Sequence, residues 1–119
     1  MTKSNATKNI IVIDDDICVL DSLKFILKKM DNNIIYFNNS KEAFDNMINN
    51  NYDIIITDIE MPNLSGIIMI EKLQKIKKLN KIIFMSSNIK EYKNIISKIE
   101  ALYLDKPISK DKILNLITA

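Results

Sequence analysis

The sequence predicts an α/β fold, a doubly wound parallel sheet with helices on both faces. Five short apolar runs occur along the chain, and their residues do not alternate between apolar and polar. Runs of this kind are typical of strands buried on both faces, as in a parallel sheet. Segments with apolar residues at helical spacing follow the runs, so strand and helix alternate five times.

The individual elements follow from these two patterns. The strands are predicted at residues 10–13, 34–37, 54–56, 82–85 and 102–104, of which the second and fifth are the weaker runs. The helices are predicted from apolar residues three or four positions apart: Leu20, Leu23, Leu27 and Met30; Ala43, Phe44, Met47 and Ile48; Ile70, Leu73 and Ile76; Tyr92, Ile95, Ile96 and Ile99; Ile113, Leu116 and Ile117. Since Gly and Pro are nearly absent, most turns depend on Asn, Asp and Ser.

Length and composition indicate one domain, because 119 residues with 47% hydrophobic and 27% charged residues are ordinary for a globular unit. We expect a polar N-terminal tail at residues 1–8 and the domain at residues 9–119. The formal charge is only +2, and the lysines are spread along the chain, which argues against nucleic-acid binding. The lysine series within residues 72–81 is predicted to be a solvated helix surface.

Composition also excludes several kinds of chemistry and location. Without histidine, the chain has no Ser-His-Asp triad, no His-ligated zinc and no phosphohistidine of its own. Its single cysteine, Cys18, is predicted to be a small buried residue. No apolar run approaches the roughly 20 residues that span a bilayer, and the polar start lacks the apolar core of a signal peptide. We therefore expect a cytoplasmic protein without membrane contact.

Polar side chains follow the predicted strands at one edge of the sheet. In an open parallel sheet, ligands bind outside the carboxyl ends of the strands, where the strand order reverses. The residues expected there are Asp14, Asp15, Asp16, Asp58, Glu60, Ser86, Ser87, Asp105, Lys106 and Pro107. Clustered carboxylates with only oxygen ligands suit a hard cation such as Mg²⁺ or Mn²⁺, and a nearby lysine and hydroxyl suit a phosphoryl group. The set therefore predicts phosphoryl-transfer chemistry.

Four sequence segments at the strand ends make the prediction specific. They are IVIDDD at residues 11–16, IITDIEMPNLSG at residues 55–66, the pair Ser86-Ser87, and YLDKP at residues 103–107. Together they resemble the receiver domain of two-component response regulators, including the chemotaxis-type and single-domain receivers, over essentially residues 9–119. The resemblance implies a (βα)5 flavodoxin-like fold with the strand order 2-1-3-4-5.

The resemblance also implies a role for individual residues. Asp58 would be the phosphoacceptor, which takes a phosphoryl group from a phosphohistidine of a histidine kinase or histidine phosphotransferase. The metal, Mg²⁺ or Mn²⁺, would be held by Asp14, Asp15, Asp58 and the backbone carbonyl of Glu60. The phosphoryl group would be bound at Ser86, Ser87 and Lys106, where Ser87 is small enough to leave the pocket open.

Further residues would control the switch and the loops around the site. Ser86 and Tyr103 would move on phosphorylation and remodel the surface of helix 4, strand 5 and helix 5, which binds a downstream protein target. Pro62, Gly66 and Pro107 would shape the loops, with a cis bond expected before Pro107. The resemblance assigns Glu60 and Asn88 to the positions that tune the lifetime of the phosphoryl group. We expect a monomer or weak dimer, and no enzyme beyond assistance to its own phosphorylation and slow dephosphorylation.

Other interpretations stay open at this point. The acidic run at residues 14–16 is also suited to capping a helix, Ser86 or Ser87 to capping the fourth helix, and Tyr103 to simple packing. Two other functions compete with the receiver. One is an aspartate-nucleophile phosphatase of the haloacid dehalogenase type, although its longer chain and cap segment are missing. The other is a receiver-like interaction module that is never phosphorylated.

Overall fold

Strand and helix alternate along the chain, which confirms the predicted fold class. The computed structural model describes residues 7–119. Within this range the strands are β1 (Asn9–Ile13), β2 (Asn33–Phe37), β3 (Ile54–Asp58), β4 (Lys81–Ser86) and β5 (Leu102–Asp105). The helices are α1 (Ile17–Leu27), α2 (Ser40–Asn49), α3 (Gly66–Gln74), α4 (Ile89–Ile99) and α5 (Lys110–Thr118).

The strands form one parallel sheet in the order β2-β1-β3-β4-β5, as expected. Successive side chains of a strand point to opposite faces, so each central strand contributes to two cores. On one face, Ile11 and Phe84 belong to a buried cluster with residues of α2, α3 and α4. On the other face, Val12 and Met85 belong to a cluster with residues of α1 and α5. Burial on both faces explains the continuous apolar runs of the sequence.

The first six residues of the expected N-terminal tail lie outside the described residues. Lys8 is tied to the domain, because its backbone N–H donates to Asn32 Oδ1 at 3.0 Å and its Nζ to the carbonyl of Ile117 at 3.1 Å. Within the described range 7–119, no helix is long and apolar enough to cross a membrane.

Side-chain caps begin most of the helices. Asp16, Asn39, Ser65 and Ser109 each accept a hydrogen bond from a backbone N–H in the first turn of α1, α2, α3 and α5. The cap position of α4 is Asn88, so the interpretation of Ser86 or Ser87 as its cap is wrong. The residue that follows this helix and caps it is Glu100, which has a φ of 64°, a left-handed conformation that favours glycine.

Three details of the predicted helices are wrong. Met30 lies beyond the end of α1, and its backbone N–H donates to the carbonyl of Leu27 at 3.0 Å. Cys18 is exposed, because the buried stripe of α1 passes through Leu20 and Leu23 on another side of the helix. Ile76 lies beyond the end of α3 and is also exposed. Its backbone N–H donates to the carbonyl of Leu73 at 2.9 Å, a tighter turn than the helix that precedes it.

The lysine series also differs from its prediction, because two of its members bond to helix ends. Lys77 Nζ donates to the carbonyls of Met47 and Asn50, at the end of α2. Lys81 Nζ donates to the carbonyls of Leu116 and Ala119, at the end of α5. The last carbonyls of a helix lack partners within the helix, so these ammonium groups satisfy them and favour the docking of both helices.

Candidate functional site

The candidate site lies at the carboxyl edge of the sheet, where the strand order reverses between β1 and β3. Asp14 directly follows β1, and Asp58 is the last residue of β3. Ser86 is the last residue of β4, and Lys106 directly follows β5. Four separate parts of the sequence thus place two carboxylates, a hydroxyl and an ammonium group at the same edge of the sheet.

The three consecutive acids after β1 have different environments. One carboxylate oxygen each from Asp14, Asp15 and Asp58 lies within 4.8 Å of the others. Asp14 and Asp58 are buried, whereas Asp15 is exposed. Asp16 points elsewhere, because its Oδ1 accepts the backbone N–H of Cys18 at 2.9 Å and caps α1. The capping interpretation of the acidic run therefore holds for Asp16 alone.

Lys106 bridges the two buried acids. Its Nζ lies 2.8 Å from Asp14 Oδ2 and 3.3 Å from Asp58 Oδ1. Its backbone N–H donates to the carbonyl of Ser86 at 2.9 Å, which fixes the start of the loop after β5. The Lys106–Pro107 peptide bond is cis, as expected. A buried carboxylate needs a cation or a proton nearby, and in this arrangement the lysine supplies the positive charge.

The charges of the site shift one another's pKa values. Burial, followed by the charge of Asp14, raises the pKa of Asp58 to about 6, although Lys106 opposes the rise. Burial also raises the pKa of Asp14, and the hydrogen bond and charge of Lys106 again oppose the rise. Burial by itself lowers the pKa of Lys106, but its contacts with both acids outweigh this and raise it. Two buried carboxylates thus share one ammonium group, a distribution that leaves excess negative charge at the site.

The acidic set fits a hard divalent cation. Its donors are carboxylate oxygens from Asp14, Asp15 and Asp58, which suit Mg²⁺ or Mn²⁺ better than a soft metal. The raised pKa values of the two buried acids point the same way, since an added cation would relieve their repulsion. The residues present therefore fit the predicted metal.

Glu60 links the acceptor loop to β4 and α4. Its carboxylate faces three donors: the Ser86 hydroxyl at 3.4 Å, the Asn88 side-chain amide at 3.5 Å and the Tyr92 hydroxyl at 3.0 Å. Ser86 Oγ in turn accepts the backbone N–H of Asn88 at 2.8 Å. The hydrogen bond to Glu60 is the main cause that raises the pKa of Tyr92. Sequence reasoning missed Tyr92 as part of the site, although its position one helical turn after Asn88 was the available signal.

The loop after the acceptor depends on Gly66. Its N–H donates to the carbonyl of Ile59 at 2.9 Å, and a Cβ atom at this position would lie only 2.1 Å from the backbone oxygen of Asp58. The Thr57 hydroxyl donates to the same oxygen at 2.9 Å. The Pro62 carbonyl accepts the Ser40 hydroxyl at 3.3 Å, which ties the loop to α2. The backbone of the acceptor is therefore held from several sides.

Two of the predicted residues, Ser87 and Tyr103, are exposed. Ser87 is exposed beside Ser86. Tyr103, on the edge strand β5, is 42% exposed, and Lys93 Nζ of α4 lies 5.8 Å from its ring centroid. The aromatic ring of Tyr103 is thus partly exposed on β5, next to Lys93 of α4.

Comparison with known proteins agrees with this geometry. The sequence pattern of the response regulator receiver domain family matches residues 10–118. Sensory transduction protein LytT of Bacillus subtilis is 26% identical over 107 residues, which cover 87% of this chain and 44% of LytT. The chain thus spans about half the length of this curated relative.

Solved structures show the same fold. The receiver domain of the Francisella response regulator 1452 is 28% identical, with a TM-score of 0.84 and coverage of 94% of this chain and 95% of that one. Chemotaxis protein CheY4 of Vibrio cholerae is 20% identical, with a TM-score of 0.83 and coverage of 95% and 98%.

The fold and the acidic site define a doubly wound α/β signalling domain with its functional residues at the strand ends. Because the family pattern matches nearly the whole chain, the protein belongs to the receiver-domain family of response regulators. It is therefore a receiver domain of two-component signalling, a class of proteins that interacts with histidine kinases and downstream effectors.

Proposed function

We propose that this receiver accepts a phosphoryl group on Asp58 from a phosphohistidine of a partner kinase or phosphotransferase. The observation that carries the proposal is the contact of Lys106 with both Asp14 and Asp58, beside the exposed Asp15. This arrangement combines a nucleophilic carboxylate, an acidic set that fits Mg²⁺ and a cation able to bind phosphoryl oxygens.

In the transfer step, an Oδ atom of ionised Asp58 attacks the phosphorus of the phosphohistidine. An O–P bond forms while the bond between phosphorus and the imidazole nitrogen breaks, and the electron pair stays on that nitrogen, which takes up a proton. Asp58 must be ionised for this step, and its pKa of about 6 leaves it mostly ionised at neutral pH. A bound Mg²⁺ supplies charge neutralisation at the acceptor, with Asp14, Asp15, Asp58 and the Glu60 carbonyl as its proposed ligands.

Ser86 and Lys106 are the proposed phosphoryl ligands. Lys106 Nζ already lies 3.3 Å from Asp58 Oδ1, so a phosphoryl group on Asp58 would meet the ammonium group with a small movement. Ser86 ends β4 next to the acceptor strand and offers a hydroxyl donor. The contacts of both residues with the phosphoryl group would favour one of two conformations, which is how such a group shifts a population.

The proposed response occurs at the surface formed by α4, β5 and α5, where a downstream protein binds. Tyr103 contributes an exposed aromatic ring to this surface. In this proposal the protein is a cytoplasmic phosphoprotein, not an enzyme that turns over an external substrate. Glu60 and Asn88, beside the acceptor, set how long the phosphoryl group persists.

Intact mass spectrometry after incubation with acetyl phosphate tests the proposal. With Mg²⁺ the wild type is expected to gain about 80 Da, the mass of one phosphoryl group, and Asp58→Asn is expected to gain nothing. Asp16→Asn is the matched control, because asparagine also caps a helix and the residue lies at the same edge of the sheet. It should gain the same mass as the wild type.

Labelling of Asp58→Asn at the wild-type level would refute the assignment of the acceptor. If the wild type shows no gain, binding of beryllofluoride with Mg²⁺ decides the matter. Binding would indicate an acceptor whose phosphoryl group is hydrolysed quickly, and no binding would indicate an interaction module that is never phosphorylated.

A further inference from the structure

The Ser86 hydroxyl has a second acceptor within reach besides the phosphoryl site. Glu60 Oε1 lies 3.4 Å from Ser86 Oγ, while the same oxygen of Ser86 accepts the backbone N–H of Asn88 at 2.8 Å. A serine hydroxyl carries a single proton. While it donates to Glu60, it cannot donate to a phosphoryl oxygen on Asp58, so the two acceptors compete for one hydrogen bond.

Tyr92 determines where the Glu60 carboxylate lies. Its hydroxyl donates to Glu60 Oε2 at 3.0 Å, the shortest of the three contacts that this carboxylate makes with side chains. The ring of Tyr92 packs against the buried cluster between the sheet and α2, α3 and α4. A ring anchored in a core and a hydroxyl on a carboxylate together fix the position of an otherwise exposed side chain.

A phosphoryl group would work against this arrangement in two ways. It would offer Ser86 a more highly charged acceptor, and its charge of nearly −2 would repel the Glu60 carboxylate. Relief of that repulsion by movement of Glu60 would break its contact with Tyr92 in the first turns of α4. The hydrogen bond between Tyr92 and Glu60 therefore belongs to the unphosphorylated conformation. Its loss would transmit phosphorylation from the acceptor site to α4 without involving Tyr103.

We propose that Tyr92 is a positioning residue whose hydroxyl holds Glu60 as the competing acceptor for Ser86 and so stabilises the unphosphorylated conformation. The inference rests on the proposed function, because it concerns the regulation of the same acceptor site. Loss of the Tyr92 hydroxyl releases Glu60, frees Ser86 and loosens the first turns of α4.

The test uses Tyr92→Phe, which keeps the ring in the core and removes only the hydroxyl. The matched control is Tyr52→Phe, because the Tyr52 hydroxyl also donates to a side chain, that of Asn46, away from the acceptor edge. Affinity for beryllofluoride with Mg²⁺ is measured by ¹⁹F NMR. Amide exchange of residues 93–96, whose N–H groups donate to the carbonyls of the first turn of α4, is measured separately in EDTA, without any phosphoryl mimic.

For Tyr92→Phe we expect beryllofluoride to bind roughly three- to tenfold more tightly, the range for the net contribution of an ordinary solvent-accessible hydrogen bond that is lost in one conformation only. Amides of residues 93–96 should exchange several-fold faster, and Tyr52→Phe should match the wild type in both measurements. In a Glu60→Ala background, Tyr92→Phe should have no further effect on the affinity, because the two residues act as one unit. A purely structural role of Tyr92 would not be removed by the Glu60 substitution.

Unchanged or weaker beryllofluoride binding by Tyr92→Phe would overturn the inference, as would an equal effect of Tyr92→Phe with and without Glu60. If the wild type binds no beryllofluoride, the proposed phosphoryl-acceptor function fails instead. The exchange measurement in EDTA then tests the contact of Tyr92 with Glu60 independently, and unchanged exchange would overturn that contact.

Discussion

Replacement of Asp58 by asparagine is expected to stabilise the metal-free protein while it removes the proposed acceptor. The pKa of Asp58 rises from 3.8 to about 6 in the folded chain, because burial and the charge of Asp14 disfavour the carboxylate. At about 1.4 kcal/mol per pKa unit, this rise corresponds to at most about 3 kcal/mol of destabilisation when Asp58 is ionised. Asparagine resembles the protonated side chain in shape and has no charge, so it avoids this cost.

The stabilisation should depend on pH with a definite sign. Between pH 3.8 and about 6, the folded protein binds the Asp58 proton more strongly than the unfolded chain does. The free energy of unfolding of the wild type therefore falls relative to that of Asp58→Asn as the pH rises through this window. Above it the difference stays constant, and below it the difference disappears.

Urea unfolding in EDTA, followed by far-UV circular dichroism at pH 4, 6 and 8, measures this difference. At pH 8 the midpoint of Asp58→Asn should be higher by roughly 1 to 2 M urea, and at pH 4 the two midpoints should nearly coincide. Asp45→Asn, on the exposed surface of α2, is the control and should change the midpoint little. Equal midpoints at pH 8, or a less stable Asp58→Asn, would refute the reasoning.

Four further substitutions test other parts of the structure. Gly66→Ala should lower the unfolding free energy by about 2 kcal/mol or more in urea unfolding, because its Cβ would meet the backbone oxygen of Asp58 at 2.1 Å. Glu100→Gly should raise the thermal midpoint, with a gain of about 1 kcal/mol, since the φ of 64° suits glycine; a lower midpoint would contradict this. Asp15→Ala should weaken Mg²⁺ binding in a calorimetric titration and spare stability, whereas Asp16→Ala should spare binding and lose about 1 kcal/mol from the helix cap; equal effects on binding would count against the site.

Sequence reasoning was strongest where the pattern is local. The apolar runs predicted every strand, because a strand buried on both faces needs apolar residues at successive positions. It was weaker at helix ends: Ile76 has helical spacing but lies beyond α3, where a short turn ends the helix. Cysteine is a residue type that is often buried in cores, but the position of Cys18 around the axis of α1 leaves it exposed.

The residues of the site were likewise predictable from the sequence in part. The sequence by itself determined that Asp14, Asp58, Ser86 and Lys106 come together, because parallel strands all end at one edge of the sheet. It could not determine which acid after β1 turns away to cap α1.

Only the tertiary structure decided how the charges at this edge are paired. It placed Lys106 between Asp14 and Asp58, and it brought the Tyr92 hydroxyl to Glu60. Burial and neighbouring charge shift the pKa of Asp58, and both depend on residues far apart in the chain. Strand ends are set by local sequence, whereas distances of about 3 Å between side chains are set by how whole elements pack.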